Sequence, residues 1–275
     1  LVLTQVSLPT LNWIEFPELV PAWPLEDVLA GAAEAGFRSV GLDDLTVAGR
    51  DPGDVAALLR AHDLACSDIG VLRVGEGDVR TSARQLAALA AATGAGTCIA
   101  ALYTATPDEA IDDLRAGASI LAESGVRTAL EFVPYGSLPT LADAIALCAA
   151  VGWERCGLLV DTWHFFRSGE PWELLRSLDG RQIALVHVND ALPVSTGDLI
   201  RESRFRRAPL GAGTFRLAEF AAALDELRYE GVVSIEVLSS ELRSRPPAEG
   251  ARELLESLGD GWPVQRGSAR SVEMK

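Results

Sequence analysis

Short apolar runs alternate with helical patterns along the whole chain, and this alternation restricts the fold more than any single motif does. LVLTQVSL reads as a strand, and PLEDVLAGAAEAG as a helix that stops at a glycine. SVGLDD is the next strand, and the helix after it has Asp51 as a plausible cap. ACSDIGVL, GTCIAALYT, RTALEFVP, CGLLVDTWH, IALVHVND and VVSIEVLS continue the series, each followed by a helical stretch. Pro107 suits the first turn of the helix in TPDEAIDDLRAGASILAESG. The strands are apolar on both faces, as parallel strands covered by helices must be. Eight such units within 275 residues fit a single (β/α)8 barrel (TIM barrel), an α/β fold. A doubly wound open sheet is the alternative, weakened because no Gly-rich phosphate fingerprint follows any strand. The expected barrel covers residues 1–260, with residues 261–275 as a C-terminal surface extension.

Charge removes several functions. The net charge is −15, from 39 acidic against 24 basic residues, which repels a phosphate backbone and argues against nucleic acid. Lys275 is the single lysine, so a Schiff-base mechanism has no buried amine to use. No apolar run is long enough to span a bilayer, and the expectation is no membrane partner. Cys66, Cys98, Cys148 and Cys156 lie in apolar stretches without tight metal spacing. They read as reduced core thiols, and with no visible signal peptide the expected location is cytoplasmic. Homo-oligomers are compatible with all of this.

Chemistry in such a barrel sits at the C-terminal ends of the strands. Glu131 ends RTALE, Asp161 ends GLLVD, His187 sits in IALVHV and Glu236 in VVSIEV. The first three are 30 and 26 residues apart, about one strand–helix unit each. Glu236 follows 49 residues after His187 because residues 191–213 add a long loop. Taken singly, each reads as well as a helix cap or satisfied core residue as it does as a ligand. Together, they place three carboxylates and an imidazole on one rim from four consecutive strands. Burying those carboxylates costs several kcal/mol unless a cation neutralises them. One divalent ion is therefore expected; Mn²⁺ is favoured, and Mg²⁺, Co²⁺ and Zn²⁺ also accept this donor set.

Around this set, Asp161, His164 and Arg167 in DTWHFFR are spaced to converge just past a strand end. Trp163, Phe165 and Phe166 read as core, with a pocket wall as the alternative. Asp43, Asp44 and Asp68 read as helix caps near the rim, with substrate contact as the alternative, and His62 as exposed. Arg204, Arg206, Arg207 and Glu202 lie in the long loop of unit seven, a candidate lid.

ALEFVPYG, GLLVDTWHFFRSG, LVHVNDA, RRAPLGAG and VSIEVLS resemble the signature segments of the sugar phosphate isomerase/epimerase family, the xylose isomerase-like barrels. The resemblance runs over nearly the whole chain. It implies that Glu131, Asp161, His187 and Glu236 are metal ligands, and that His164 and Arg207 bind substrate. Arg206 competes with Arg207, because Pro209 is displaced by one and Ala212 replaces the family's acid in its turn. The implied activity is a metal-dependent isomerase or epimerase acting on a sugar or related polyhydroxy carbonyl compound. Glu131 and Glu236 would be its catalytic acid–base pair, working through a metal-stabilised enediolate. The alternative on this scaffold is a dehydratase (lyase) of an inosose- or dehydroshikimate-like cyclitol. Val133 and Asn189 stand where dehydroshikimate dehydratases carry a catalytic His and Lys, which lowers that alternative. An endonuclease IV-like activity needs many histidines, and the chain has three.

Overall fold

A parallel strand can stay apolar on both faces only if one face meets helices and the other meets its own barrel interior. The computed structural model, which describes residues 5–262, shows that solution. Strands β1 (Val6–Pro9), β2 (Ser39–Asp43), β3 (Ala65–Val74) and β4 (Thr97–Leu102) form half of a ring. Strands β5 (Arg127–Glu131), β6 (Cys156–Asp161), β7 (Ile183–Val188) and β8 (Val233–Ile235) form the rest. All pair in parallel, in chain order, and β8 closes on β1 through Val6↔Val233 and Ser7↔Ser234. This is a single (β/α)8 barrel.

The outer helices begin and end where the sequence indicates. Helices α1 (Leu25–Ala35), α2 (Pro52–Ala61), α3 (Val79–Thr93), α4 (Pro107–Glu123) and α5 (Leu141–Val151) cover the first five strands. Asp51 accepts from the Gly53 N–H at 2.8 Å, capping α2 as expected. Pro107 opens α4 inside a Thr106/Glu109 capping box. Gly36, at φ 106°, takes the left-handed conformation that ends α1.

Units six to eight are more irregular. A short helix, α6 (Thr162–Ser168), follows β6 directly, and the PWELLRSLDG pattern yields only α7 (Trp172–Arg176) and a 3-10 turn. After β7 come α8 (Leu199–Phe205) and α9 (Leu217–Glu226); after β8 come α10 (Ser240–Ser244) and α11 (Pro247–Gly261). The extension expected over 261–275 lies outside the described residues from 263 onward. Among the described residues no helix is long and apolar enough to cross a membrane.

The period of two within each strand positions the site. Leu130, Val160, Val186 and Ile235 face outward into the main core. Ala129, Leu159 and Leu185 face inward and form a separate small apolar cluster. Two residues further along those strands, on the same inward face, come Glu131, Asp161 and His187. Glu131 and Asp161 thus stand one inward position beyond a floor of fully buried apolar side chains. Outside the barrel, Phe220 is fully buried, with ring centroids 5.6 Å from Phe165 and 6.3 Å from Trp262. Phe220→Ala should cost about 3–5 kcal/mol, read as a lower urea midpoint at unchanged slope.

Candidate metal centre

Asp161 is the centre of the rim. Completely buried, it accepts from the Trp163 N–H at 2.6 Å and the His164 N–H at 3.2 Å. The cap reading holds for this residue, since one Asp161 oxygen starts α6, and the same carboxylate faces the barrel axis. Asn189, two residues past His187, donates its Nδ2 to Asp161 at 3.2 and 3.3 Å. Arg207 Nη1 donates to Asp161 Oδ2 and to Glu236 Oε2, both at 2.8 Å. His187 Nδ1 lies 3.1 Å from Glu236 Oε1, and His164 Nε2 lies 3.3 Å from Glu131 Oε1.

Metal-ligating atoms of Asp161, His187 and Glu236 lie within 4.8 Å of one another. So do those of Glu131, Asp161 and His164. The sequence-predicted ligands thus form two overlapping triads joined at Asp161, with His164 at ligand distance on the Glu131 side. A one-residue register shift between Leu158 and Leu159 brings this about, because it sets Asp161 directly opposite His187 on β7.

The donor set fits a cation. Burial opposes a charge on His187, yet Glu236, Asp161 and Asp68 outweigh it and hold the imidazole at about 9. Burial likewise pushes the Glu236 carboxyl up, but His187 and Arg207 keep it below its ordinary range. The centre therefore calls for more positive charge than Arg207 alone supplies. Neither ring nitrogen of His187 has a hydrogen bond, although the residue is buried. Once it gives up the proton that the surrounding carboxylates hold on it, such an imidazole presents a nitrogen lone pair to a cation. Glu131, Asp161, His187 and Glu236 could hold a divalent ion with carboxylate oxygens and one nitrogen, and His164 is a further donor.

The other expected residues take varied places. Trp163 and Phe165 are core, and Phe166 is half-buried. Trp163 also forms a wall, with its ring 5.8 Å from the Arg207 guanidinium and 6.0 Å from the Tyr135 ring. Arg167 does not converge with Asp161 and His164. It donates to the Leu192 carbonyl and lies 5.0 Å from the Phe215 ring, because a residue six places along a helix points away from its cap. Asp43 caps none of the described helices; it is buried and accepts from Leu45 and Thr46 in its own turn and from the Thr10 hydroxyl just after β1. Asp44 pairs with Arg73 instead. Asp68 lies inside β3, buried and held by Ser67 at 2.6 Å, with burial pushing its carboxyl up. His62 ends α2 half-buried rather than exposed.

The long loop of unit seven is tied down. Buried Glu202 accepts from Ser195 N at 3.1 Å, Thr196 N at 2.9 Å and Arg206 Nε at 3.1 Å. Arg206 is thereby turned outward, and it also donates to the Pro193 carbonyl. Arg207 turns inward, since Asp190–Ala191 pairs antiparallel with Arg207–Ala208 and alternation puts neighbours on opposite sides. Glu202→Ala should free this loop. Limited proteolysis should cut within 191–206 several-fold faster than in the wild type, while the barrel's melting temperature changes little.

Several site residues carried no signal in the sequence. Tyr135 donates to Ser203 Oγ at 3.1 Å, and Ser203 in turn accepts from Arg207 Nη2. Asn12 is an ordinary polar letter whose partners, Ile235 and Val237, lie at the far end of the chain, and Asn189 meets Asp161 on the neighbouring strand β6. Asn189 alone had a clue, an alternation step that aligns it with His187.

Comparison with known proteins agrees with the barrel fold. Residues 29–260 match the model of the family described as xylose isomerase-like TIM barrel. An inosose isomerase of Bacillus velezensis is 32% identical over 139 residues, 49% of this chain and 49% of the relative. The chain thus spans about half the length of the curated relatives it matches. A crystal structure of the IOLI protein with a binding zinc atom superposes with TM-score 0.81 at 20% identity, covering 94% of this chain and 97% of that one. D-allulose 3-epimerase from Methylomonas sp., in complex with D-allulose, superposes with TM-score 0.73 at 18% identity, covering 94% and 97%. At those identities the two solved structures share the fold.

Proposed function

Because the chain belongs to the xylose isomerase-like TIM-barrel family, we propose that it is a divalent-metal-dependent isomerase or epimerase of a polyhydroxy ketone or aldehyde. The observation that carries this reading is the pair of glutamates at opposite ends of the ligand arc. Glu131 on β5 and Glu236 after β8 belong to different triads that share Asp161. The relatives' names, inosose isomerase and D-allulose 3-epimerase, support a ketone flanked by hydroxyl-bearing carbons.

A bound divalent ion would supply positive charge to the carbonyl and hydroxyl oxygens of the substrate. Glu131 removes the proton beside the carbonyl, and Glu236 returns one on the other face or the adjacent carbon. His164, 3.3 Å from Glu131, orients that carboxylate and can hold a substrate hydroxyl. Arg207 holds Asp161 and Glu236 in place, and its charge keeps Glu236 ionised between turnovers. The Trp163 and Tyr135 rings shield this side of the centre from water.

The test is incubation in D₂O with Mn²⁺, Co²⁺, Mg²⁺ or Zn²⁺ and either an inosose or a ketohexose, followed by NMR. Deuterium should enter at the carbon beside the carbonyl, together with an isomerised product. A conjugated product absorbing in the ultraviolet would assign the chain to the lyases instead. Metal binding with neither exchange nor product from either substrate class would remove the isomerase reading.

A further inference from the structure

The glutamate beyond β8 is held from both sides, and one of the two holds is a side chain. Main-chain pairing between β1 and β8 stops at Ser7↔Ser234. The last two residues of β1, Leu8 and Pro9, pair with Val40 and Gly41 of β2 on its other edge, and the chain then turns into the 3-10 helix Thr10–Trp13, so among the described residues no β1 pairing reaches Glu236. Asn12 fills the gap. Its Nδ2 donates to the Ile235 carbonyl at 2.9 Å, and its Oδ1 accepts from the Val237 N–H at 2.7 Å. Those are the two bonds that a neighbouring strand's backbone would make to the peptides flanking Glu236. On the other edge, the Glu236 N–H donates to the Val188 carbonyl of β7 at 3.0 Å. The Asn12 amide is completely buried, and it uses one donor and one acceptor on a site 223 to 225 residues away.

We propose that Asn12 is a positioning residue for the metal centre: by bracketing Glu236 it sets the reach of that carboxylate toward a divalent ion. The proposal rests on the metal-dependent reading above. Its logic is that a carboxylate makes a good ligand only when its backbone cannot drift, because a displacement of about 1 Å is enough to spoil coordination. Asparagine suits the task because it offers a donor and an acceptor side by side. Aspartate keeps the acceptor for Val237 but turns a lone pair toward the Ile235 carbonyl. Alanine removes both bonds.

The experiment is a Co²⁺ titration of the full chain, followed by visible absorption, on the wild type, Asn12→Ala, Asn12→Asp, Glu236→Gln and Leu59→Ala. Leu59 is buried in α2, away from the ligand strands, and controls for lost stability alone. Both Asn12 variants should bind Co²⁺ about 10–100-fold more weakly, with an altered absorption band, while Leu59→Ala binds as the wild type does. Wild-type Co²⁺ affinity and spectrum in both Asn12 variants, with Glu236→Gln weakened, would overturn the positioning role and leave the metal centre standing. No weakening in Glu236→Gln would instead remove the metal reading itself. An equal loss in Leu59→Ala would reduce Asn12 to a general stabiliser and overturn the proposal. So would failure of both Asn12 variants to fold, since a bracket confined to Glu236 leaves the barrel intact.

Discussion

Turnover by either the Glu131→Gln or the Glu236→Gln variant should fall by about 10²–10⁴-fold, the range that a positioned general acid or base contributes. Glutamine keeps the shape and one carbonyl oxygen but cannot carry a proton, so the loss reports proton transfer more than folding. The two glutamates differ in their surroundings, and the variants should differ with them. The Glu131 side chain is 18% exposed, against 5% for Glu236, which is also paired with Arg207 and His187. A proton taken up by Glu131 therefore has a route to water. With the epimer whose hydrogen faces Glu131, Glu236→Gln should still wash deuterium into the substrate without net product. Glu131→Gln should show neither wash-in nor product. NMR in D₂O reads both at once. Near-normal rates in both variants, or turnover without deuterium as in a hydride shift, would remove the glutamates from the reaction while leaving the metal centre in place.

Arg207→Ala should destabilise the metal-free protein by about 3–5 kcal/mol, the usual cost of stripping the partner from a buried charge. Arg207 is 3% exposed, and its Nη1 bridges Asp161 and Glu236, so its loss leaves two buried carboxylates facing each other. A divalent ion should then do more for the variant than for the wild type. At a free concentration of about 100 times Kd, a ligand stabilises a protein by about 2.7 kcal/mol. Without the guanidinium opposing it, the ion binds the variant more tightly, so the stabilisation at equal concentration is larger. Thermal melts with and without Mn²⁺ check this. Equal metal-induced shifts in the two proteins would mean that Arg207 and the ion do not share those carboxylates.

What was legible in the sequence is whatever depends on near neighbours. Strand and helix alternation follows from periods of two and 3.6 residues, and a cap such as Asp51 acts on an N–H two residues away. The same period of two, read through ALE, LVD and LVH, puts Glu131, Asp161 and His187 on the inward face. Eight such units leave a closed parallel barrel as the economical arrangement, and strand ends then share one rim.

The choices among neighbours needed the folded chain. Arg206 and Arg207 are adjacent letters. Glu202 claims the first, and Asp161 and Glu236 claim the second, because the two-residue pairing with Asp190–Ala191 sends their side chains apart. The three polar letters of DTWHFFR separate in the same way, with Arg167 leaving the site for Phe215. The register between β6 and β7 slips by one residue at Leu158/Leu159, and only that slip sets Asp161 opposite His187. Asn12 meets Glu236 across nearly the whole length of the chain, from a turn with no periodicity to announce it. Local sequence thus determined the strand and helix alternation and which face each barrel-strand side chain takes, since those terms act over a few residues. Register, and the partner of each buried polar group, were decided by the tertiary structure, because each is settled by unpaired groups on strands that become neighbours only when the barrel closes.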